Sequence, residues 1–226
     1  MSSLHLATDI NDRWFWWPYV DRNTDLIWEK FTEHAQLTLL AVGIGILIAL
    51  PLSLLATRFR WLYPTSIAVG AVLYTIPSIA LIAFLIPITG LSTTTVVIPL
   101  ASYTILILVR NFVTGLDGVS PEVKEAARGM GYPPLRQTVR VELPLALPVF
   151  FAGIRIATVT IIGLVPIAAI IGKGGFGALM NAGFQRGFRT PITVGIVLTV
   201  AFAVTADLVI LLIQRLVTPW TRREAT

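Results

Sequence analysis

The sequence predicts an all-α, polytopic membrane protein with five transmembrane helices and one long polar loop that contains a short helix. Of its 226 residues, 55% are hydrophobic and only 13% are charged, and the mean hydropathy is +0.80. These values fall outside the range of a single water-exposed domain. Backbone groups cannot bond to water in lipid, so a spanning helix needs about 20 apolar residues, and several segments reach that length.

Five segments are predicted to span the membrane. They are residues 35–57, 64–88, 92–109, 144–171 and 191–213. The second segment contains Pro77 and Pro87, and each proline removes a helical hydrogen bond, so this helix is expected to kink or break. Together the spans form a predicted transmembrane domain over residues 34–215, followed by a tail over residues 216–226.

Residues 1–33 form a separate, polar N-terminal segment with a cluster of aromatic residues at 14–19. No basic region leads into an apolar core, so the segment is not expected to be a cleavable signal peptide. Clustered tryptophan and tyrosine are typical of the headgroup layer, where the ring is half buried and its N–H or O–H stays hydrated. We therefore interpret the cluster as an interfacial anchor, with a role in substrate binding as the alternative.

The distribution of lysine and arginine indicates the orientation. Ten of these residues lie on the side that carries the C-terminus and six on the other, while Arg155 lies inside a span. Cytoplasmic loops are enriched in lysine and arginine. We therefore expect the N-terminus outside, the C-terminus in the cytoplasm and the polar loop, about residues 114–142, in the cytoplasm.

Composition also excludes several kinds of site. The chain has no cysteine, and its two histidines, His5 and His34, are far apart in sequence, so no metal site is expected. The basic residues mostly flank apolar segments and therefore indicate topology rather than nucleic-acid binding. We identify no catalytic residues, and the chain is not expected to be an enzyme.

A glycine-rich run at residues 172–177 matches G-x-G-x-x-G, but it follows an apolar helix rather than a strand. A glycine follows Lys173 where a P-loop has Ser or Thr, so the run is not a nucleotide site. We interpret it as a flexible outer loop, either external or re-entrant in the membrane, with a gate or docking surface as the alternative.

The polar loop contains a predicted helix that begins after Ser120, a good N-cap, with Pro121 at the first helical position. Its apolar residues Val123, Ala126, Ala127 and Met130 fall on one face. Gly129 and Gly131 are expected to end the helix before Tyr132-Pro133-Pro134, and a second helical stretch opens at Leu135. A helix lying on the membrane surface is the alternative, although its small alanines bury little apolar area.

A motif with defined spacing extends from this helix to the fourth span. Glu125-Ala126-Ala127 is followed after three residues by Gly131, and after nine more by Val141-Glu142-Leu143-Pro144. This pattern resembles the E-A-A-x3-G-x9-I-x-L-P motif of ABC importer permeases. Over residues 35–215 the chain is similar to permeases for glycine betaine, carnitine and choline, although Lys173 and Phe176 stand where alanine and leucine are expected.

The resemblance implies a type I ABC importer permease in the bacterial inner membrane, with the loop helix as its coupling helix. Glu125, Ala126, Ala127 and Gly131 would couple the chain to a separate ATPase that binds ATP and Mg²⁺, and the chain itself would bind no cofactor. Its partners would be ATPase subunits, a second permease chain, an extracytoplasmic solute-binding protein and membrane lipid. The alternatives are a permease for another small solute, such as an amino acid or phosphonate, and a stand-alone channel or ion-driven carrier.

Two further groups of residues are candidates for function. Tyr74, Pro77, Ser78 and Tyr103 are candidates for the translocation pathway, because aromatic faces attract quaternary ammonium and interrupted helices often border a pathway. Ordinary packing is the alternative for the tyrosines. Arg155 and Asp207 are the charges inside the predicted spans, at similar depth, and are expected to pair. Alternatively, Arg155 extends to the interface and Asp207 faces an aqueous cavity.

Overall fold

A computed structural model describes residues 14–222, and all of its regular elements in that range are helical. His5, Arg13 and the rest of residues 1–13 in the predicted N-terminal segment lie outside the described residues, as do residues 223–226 of the predicted tail. The predicted all-α class is confirmed.

Ten α-helices follow one another along the described chain. They are α1 (Trp17–Arg22), α2 (Thr24–Arg58), α3 (Leu62–Thr75), α4 (Ser78–Thr89), α5 (Thr93–Asp117), α6 (Pro121–Gly129), α7 (Pro134–Gln137), α8 (Leu143–Leu164), α9 (Phe176–Arg186) and α10 (Arg189–Val217). A π-helical turn, Thr138–Glu142, joins α7 to α8, and 3-10 segments Val165–Ile171 and Pro219–Arg222 follow α8 and α10.

Four helical stretches of the described chain are long and apolar enough to cross a membrane: Thr24–Arg58, Thr93–Asp117, Pro134–Ile171 and Arg189–Val217. The bent pair of α3 and α4 makes a fifth candidate, so the predicted five-span architecture agrees with the structure. Several helices are longer than their predicted spans. For example, α2 begins at Thr24 rather than at residue 35, because a helix can continue into the polar layer once its first turn carries an acidic residue, here Asp25.

The prolines differ in their effect on these helices. The helix is interrupted at Ile76-Pro77, where Pro77 has an extended ψ of 132° and precedes α4. Pro87, which was also expected to disrupt this span, lies inside α4 close to its end. Neighbouring groups can compensate for a proline within a membrane helix, so the position of the break is set by Pro77 alone.

The chain divides into two compact units. Unit 1 comprises the residues up to Ala41 together with Ile76–Leu100 and Val159–Thr205, and unit 2 comprises Val42–Thr75, Ala101–Thr158 and the residues from Ala206 onward. In unit 1, the core is formed by the buried Phe176, Leu179 and Val194. Phe31 and Phe202 pack beside them with ring centroids 5.4 Å apart.

In unit 2, the core combines stacked phenylalanine rings with small, fully buried alanine side chains. Phe112 of α5 stacks on Phe150 of α8 with ring centroids 4.3 Å apart. Ala49, Ala56 and Ala146 are fully buried around the cluster that contains these rings. Small side chains let helices approach closely in lipid. Helix association there depends on such packing, because the hydrophobic effect does not favour it. The core of unit 2 therefore fixes the helices that carry the loop between α5 and α8.

Candidate functional site

Helix α6 is fixed at its N-terminus by the cap that the sequence predicts. The backbone N–H of Val123 donates to Ser120 Oγ at 3.4 Å, and Pro121 occupies the first turn. Hydrogen bonds from its own backbone N–H and from Ser120 hold the pKa of the Glu122 carboxyl below its usual value. A carboxylate at this position also interacts favourably with the helix dipole. The start of the helix is thus defined by three consecutive residues.

The C-terminus of α6 explains the glycine of the motif. Gly131 has a φ of +78°, the left-handed conformation that side chains with a Cβ rarely adopt. The N–H of Tyr132 donates to the Ala127 carbonyl at 3.1 Å and that of Gly131 to the Arg128 carbonyl at 2.9 Å. This pair of bonds is a Schellman motif, which satisfies the last carbonyls of a helix. Of the two glycines expected to end the helix, Gly131 does so, whereas Gly129 remains helical.

The faces of α6 differ from the predicted apolar stripe. Ala127 is 1% exposed, and the nearby Lys124 donates from Nζ to the Leu116 carbonyl at 3.0 Å. Val123, Ala126 and Met130, which were expected on the same face as Ala127, are exposed instead. The residues of α6 that contact the rest of unit 2 include Lys124 and Ala127, because a lysine can bury its alkyl stem while its ammonium reaches a backbone carbonyl.

Glu125 and Ala126 of the motif therefore face outward, while Ala127 faces inward. The connection from α6 to α8 adds exposed apolar residues that the sequence analysis did not select, Leu135 and Val139. Exposed apolar side chains in a polar loop are typical of a docking surface. We call the exposed residues Val123, Glu125, Ala126, Met130, Leu135 and Val139 the loop surface.

A side-chain contact closes this connection. Gln137, which is buried, donates from Nε2 to Glu142 Oε1 at 2.8 Å across the π-helical turn. The Arg136 guanidinium lies 4.9 Å from the centroid of the Tyr132 ring. Glu142 belongs to the Val-Glu-Leu-Pro end of the motif. Its hydrogen bond therefore attaches that end of the motif to the segment that connects α6 to α8. Its hydrogen bond was not foreseen, because nothing in a sequence indicates a π-helical turn.

The four candidate pathway residues fall in two units. In unit 2, Tyr74 and Tyr103 meet edge to face with ring centroids 5.5 Å apart. Tyr103 is 3% exposed, but Tyr74 is 45% exposed, so only one of the two tyrosines is buried as expected. In unit 1, Pro77 accepts a hydrogen bond from the N–H of Leu81 at 3.1 Å and Ser78 begins α4.

Arg155 of α8 and Asp207 of α10 form a two-pronged ion pair within unit 2. Arg155 Nε lies 2.7 Å from Asp207 Oδ1, and its terminal nitrogen lies 2.7 Å from Oδ2. The two side chains are 30% and 28% exposed. Two parallel N–H···O bonds match the guanidinium plane to the carboxylate, which adds orientation as well as energy. The pair compensates both charges inside the span region.

Close packing also explains why residue 153, two positions before Arg155, is a glycine. A Cβ at Gly153 would lie 2.5 Å from Asn111 Cβ and 3.0 Å from Asn111 Cγ. Asn111 in turn donates from Nδ2 to the Ile107 carbonyl at 2.8 Å. Glycine therefore allows α8 to contact α5 directly, two residues before the arginine of the ion pair.

The glycine-rich run differs from the expected flexible loop. Gly172, Gly174 and Gly175 all have positive φ, and a Cβ at Gly174 or Gly175 would overlap the backbone of Ala169 or the side chain of His34. Gly174 and Gly175 therefore permit close approach between segments, whereas Gly172 has open space at its Cβ position. The run leads directly into α9, an amphipathic helix that was not predicted although its large apolar residues have helical spacing.

His34, which the sequence indicates only as an unsuitable metal ligand, has a packing role in the structure. It is fully buried in unit 1, between the rings of Phe176 and Phe202 at centroid distances of 5.1 and 5.5 Å. Its Nε2 donates to the Ile162 carbonyl at 3.1 Å, since a carbonyl can only accept. Only a three-dimensional contact over 128 residues could identify this role.

Comparisons with known proteins agree with this architecture. Residues 41–223 match the family described as binding-protein-dependent transport system inner membrane component. The choline transport system permease protein OpuBB of Bacillus subtilis is 36% identical, over 84% of this chain and 88% of that protein. The osmoprotectant import permease protein OsmW of Salmonella typhimurium is 37% identical, over 83% and 89%.

A solved structure has the same fold. A chain of the inward-facing MetNI methionine ABC transporter matches with a TM-score of 0.74 and 25% identity, over 86% of this chain and 97% of that one. The type I importer permease fold expected from the motif is therefore confirmed, as is the resemblance to osmoprotectant permeases. The chain belongs to the family of inner membrane components of binding-protein-dependent transport systems, and it is a multi-pass transport permease.

Proposed function

We propose that this chain imports quaternary-ammonium osmoprotectants such as choline, glycine betaine or carnitine, using ATP hydrolysed by a separate subunit. The proposal that the chain couples to an ATPase rests on helix α6. Its Glu125 and Ala126 are exposed, while Ala127 and Lys124 contact the rest of unit 2. The substrate class is supported by the names of relatives at 32–37% identity, among them choline and glycine betaine/carnitine/choline permeases.

The loop surface docks on the ATPase. ATP and Mg²⁺ stay on that subunit, and this chain holds no cofactor. Rigid attachment is necessary for coupling, because a helix that moved independently of its own permease would transmit no displacement. The cap at Ser120, the Schellman motif at Gly131 and the Gln137–Glu142 hydrogen bond supply that rigidity.

Displacement at α6 reaches the membrane through a continuous helical path. Pro134–Ile171 is one helical stretch that runs from the loop into the fourth span. A push on the loop surface therefore shifts a span rather than a flexible tether. Two distant sites, the ATPase contact and the solute path, are then linked by one conformational equilibrium.

The complete importer contains two permease chains, two ATPase subunits and a solute-binding protein outside. The N-terminus lies outside, and the loop and C-terminus lie in the cytoplasm, in agreement with the excess of lysine and arginine on that side. A reporter fused at Gly118 tests the orientation: cytoplasmic reporter activity agrees with it, and extracytoplasmic activity contradicts both the orientation and the coupling mechanism.

The exposed face of Tyr74 is a candidate contact for the quaternary ammonium on its way through unit 2. Arg155 and Asp207 neutralise each other and leave the path without a net charge, which suits a cationic or zwitterionic solute. Pro77 and Ser78, where the second span is interrupted, are candidates for a second border of the path in unit 1.

Uptake by cells that express the complete importer tests the substrate class. We expect choline, glycine betaine and carnitine to compete for one uptake activity, and methionine and phosphonates to leave it unchanged. Competition by methionine alone would instead favour an amino-acid importer, a possibility supported by the likeness to the MetNI chain. Copurification of an ATP-binding subunit with this chain is expected, and uptake that persists without that subunit would indicate a channel or ion-driven carrier.

A further inference from the structure

A cleft of about 420 Å³ opens in unit 1 among α1, α2, α9 and α10, and its lining is mostly apolar with a few polar and charged side chains. Its lining includes Tyr19, Lys30, Ala182, Arg186 and Phe188. Two of the lining residues are cationic, and among the described residues that line the cleft none is acidic. The family resemblance and the transport mechanism leave this cleft without a role.

The positive charge of the cleft is concentrated on Arg186. Lys30 Nζ lies 2.8 Å from Glu29 Oε1 and 3.2 Å from Glu33 Oε2, so its charge is compensated locally. No carboxylate in residues 14–220 pairs with Arg186, whose guanidinium keeps its donors for another acceptor. Arg186 can therefore donate to an anionic group that is not one of the described side chains.

Tyr19 adds a neutral donor to the cleft. Burial raises the pKa of its phenol, and the positive charge of Arg186 opposes that shift. The phenol consequently keeps its proton near neutral pH and can donate a hydrogen bond. Its ring is held edge to face against Phe188, with centroids 5.4 Å apart, so the hydroxyl is carried by a fixed ring.

Aromatic residues indicate that the cleft lies at the level of the lipid headgroups. Trp14, Trp17 and Trp28 are exposed in the segment that forms one wall. The Arg22 guanidinium lies 5.8 Å from the centroid of the Trp16 ring. Exposed tryptophans with nearby arginines are typical of the membrane interface, where rings contact both acyl chains and headgroups.

Exposed apolar side chains lie at the cleft, at Leu26, and further along α10. Pro191 lines the cleft, and Ile196 and Val197 are exposed further along the same helix. At about 1.5 Å per residue they lie roughly 8–9 Å from Pro191 along the helix axis. Their side chains lie about 120–140° around the helix axis from Pro191, so acyl chains would meet this apolar surface beside the cleft rather than within it.

We propose that this cleft binds the phosphate headgroup of an anionic phospholipid, with Arg186 as the anion-binding residue and Tyr19 as an additional donor. An anionic lipid is favoured over a zwitterionic one, since the ammonium of the latter would be repelled by Arg186. Lipid bound there ties α1 to α9 and α10 at the membrane surface.

Native mass spectrometry of the full chain, purified from membranes that contain phosphatidylglycerol, tests this proposal. We expect one retained phosphatidylglycerol in the native protein and about fivefold less in Arg186→Gln, the loss expected for one interfacial cation. Ala182→Leu fills the cleft without changing its charge and is expected to reduce retention similarly. Lys173→Gln removes another cation on the same predicted side but outside the cleft, and it should retain lipid normally.

Three results would overturn the proposal. Unchanged retention in Arg186→Gln and in Ala182→Leu would show that the lipid binds elsewhere. An equal loss in Lys173→Gln would indicate unspecific attraction. Displacement by millimolar inorganic phosphate, with no preference for phosphatidylglycerol over phosphatidylcholine in lipid nanodiscs, would show a site for free anions instead. Thermal unfolding in detergent identifies any variant whose loss of lipid follows from misfolding.

Discussion

Arg155 and Asp207 form two parallel hydrogen-bonded contacts of 2.7 Å each. The two residues lie 52 positions apart in sequence, in different helices. Each side chain remains partly exposed. The pair thus combines strong geometry with partial hydration, which lowers the cost of placing charge in a span. It links the fourth span, which continues from the coupling loop, to the last span.

Replacing one partner should leave the other charge uncompensated. For Arg155→Gln or Asp207→Asn we expect a loss of about 1–3 kcal/mol of stability, less than for a fully buried pair because both groups are partly hydrated. Thermal unfolding in detergent measures this loss. The charge-reversed double variant Arg155→Asp, Asp207→Arg should recover part of it, and a double variant no more stable than the sum of its single changes predicts would argue against a stabilising pair.

Gly153 should not tolerate alanine. The added Cβ would lie 2.5 Å from Asn111 Cβ, so the helices must separate, at a cost of about 1–3 kcal/mol. Gly163 in the same helix is a matched control, because a Cβ there has no neighbour within 4 Å. Gly163→Ala should be neutral or stabilising, by up to about 1 kcal/mol. Equal stability of the two variants would contradict close packing at Gly153.

Tyr74 is expected to act on transport through its ring rather than its hydroxyl. Tyr74→Phe should keep choline uptake near the native value, whereas Tyr74→Leu should reduce it by roughly 2- to 30-fold, the range of one cation–π contact. Uptake at subsaturating choline measures the effect. If Leu and Phe give the same uptake at equal amounts of protein in the membrane, Tyr74 is a packing residue and not part of the path.

The sequence predicts those features that depend on local chemistry. The Ser120 cap, the end of α6 at Gly131 and the break at Pro77 follow from residue types whose backbone preferences are strong. Apolar length alone locates the spans. These features need no knowledge of neighbours in space.

Features that depend on contacts between distant segments could not be predicted in the same way. The inward face of α6 is set by the Lys124 contact with the Leu116 carbonyl. The role of His34 depends on its hydrogen bond to the Ile162 carbonyl. The glycines near residue 174 suggested flexibility, but they permit close approach to Ala169 and His34. A glycine has the same letter in both situations, and only its surroundings distinguish them.

The coupling role of α6 rests on its fixed end at Gly131. Gly131→Leu forces a side chain into a left-handed conformation at a cost of roughly 1–2 kcal/mol, so the end of the helix should rearrange and the loop surface should shift. Glu125→Ala removes an exposed carboxylate from that surface without straining the backbone. Gly129→Ala is the control, since Gly129 is helical and has open space around its Cβ position.

The decisive measurement is the number of choline molecules imported per ATP hydrolysed by the complete importer in proteoliposomes. We expect Gly131→Leu and Glu125→Ala to insert normally and to lower this ratio, by roughly tenfold for the strained glycine variant, while Gly129→Ala matches the native protein. A native ratio in correctly inserted Gly131→Leu would contradict the proposal that α6 couples ATP hydrolysis to transport.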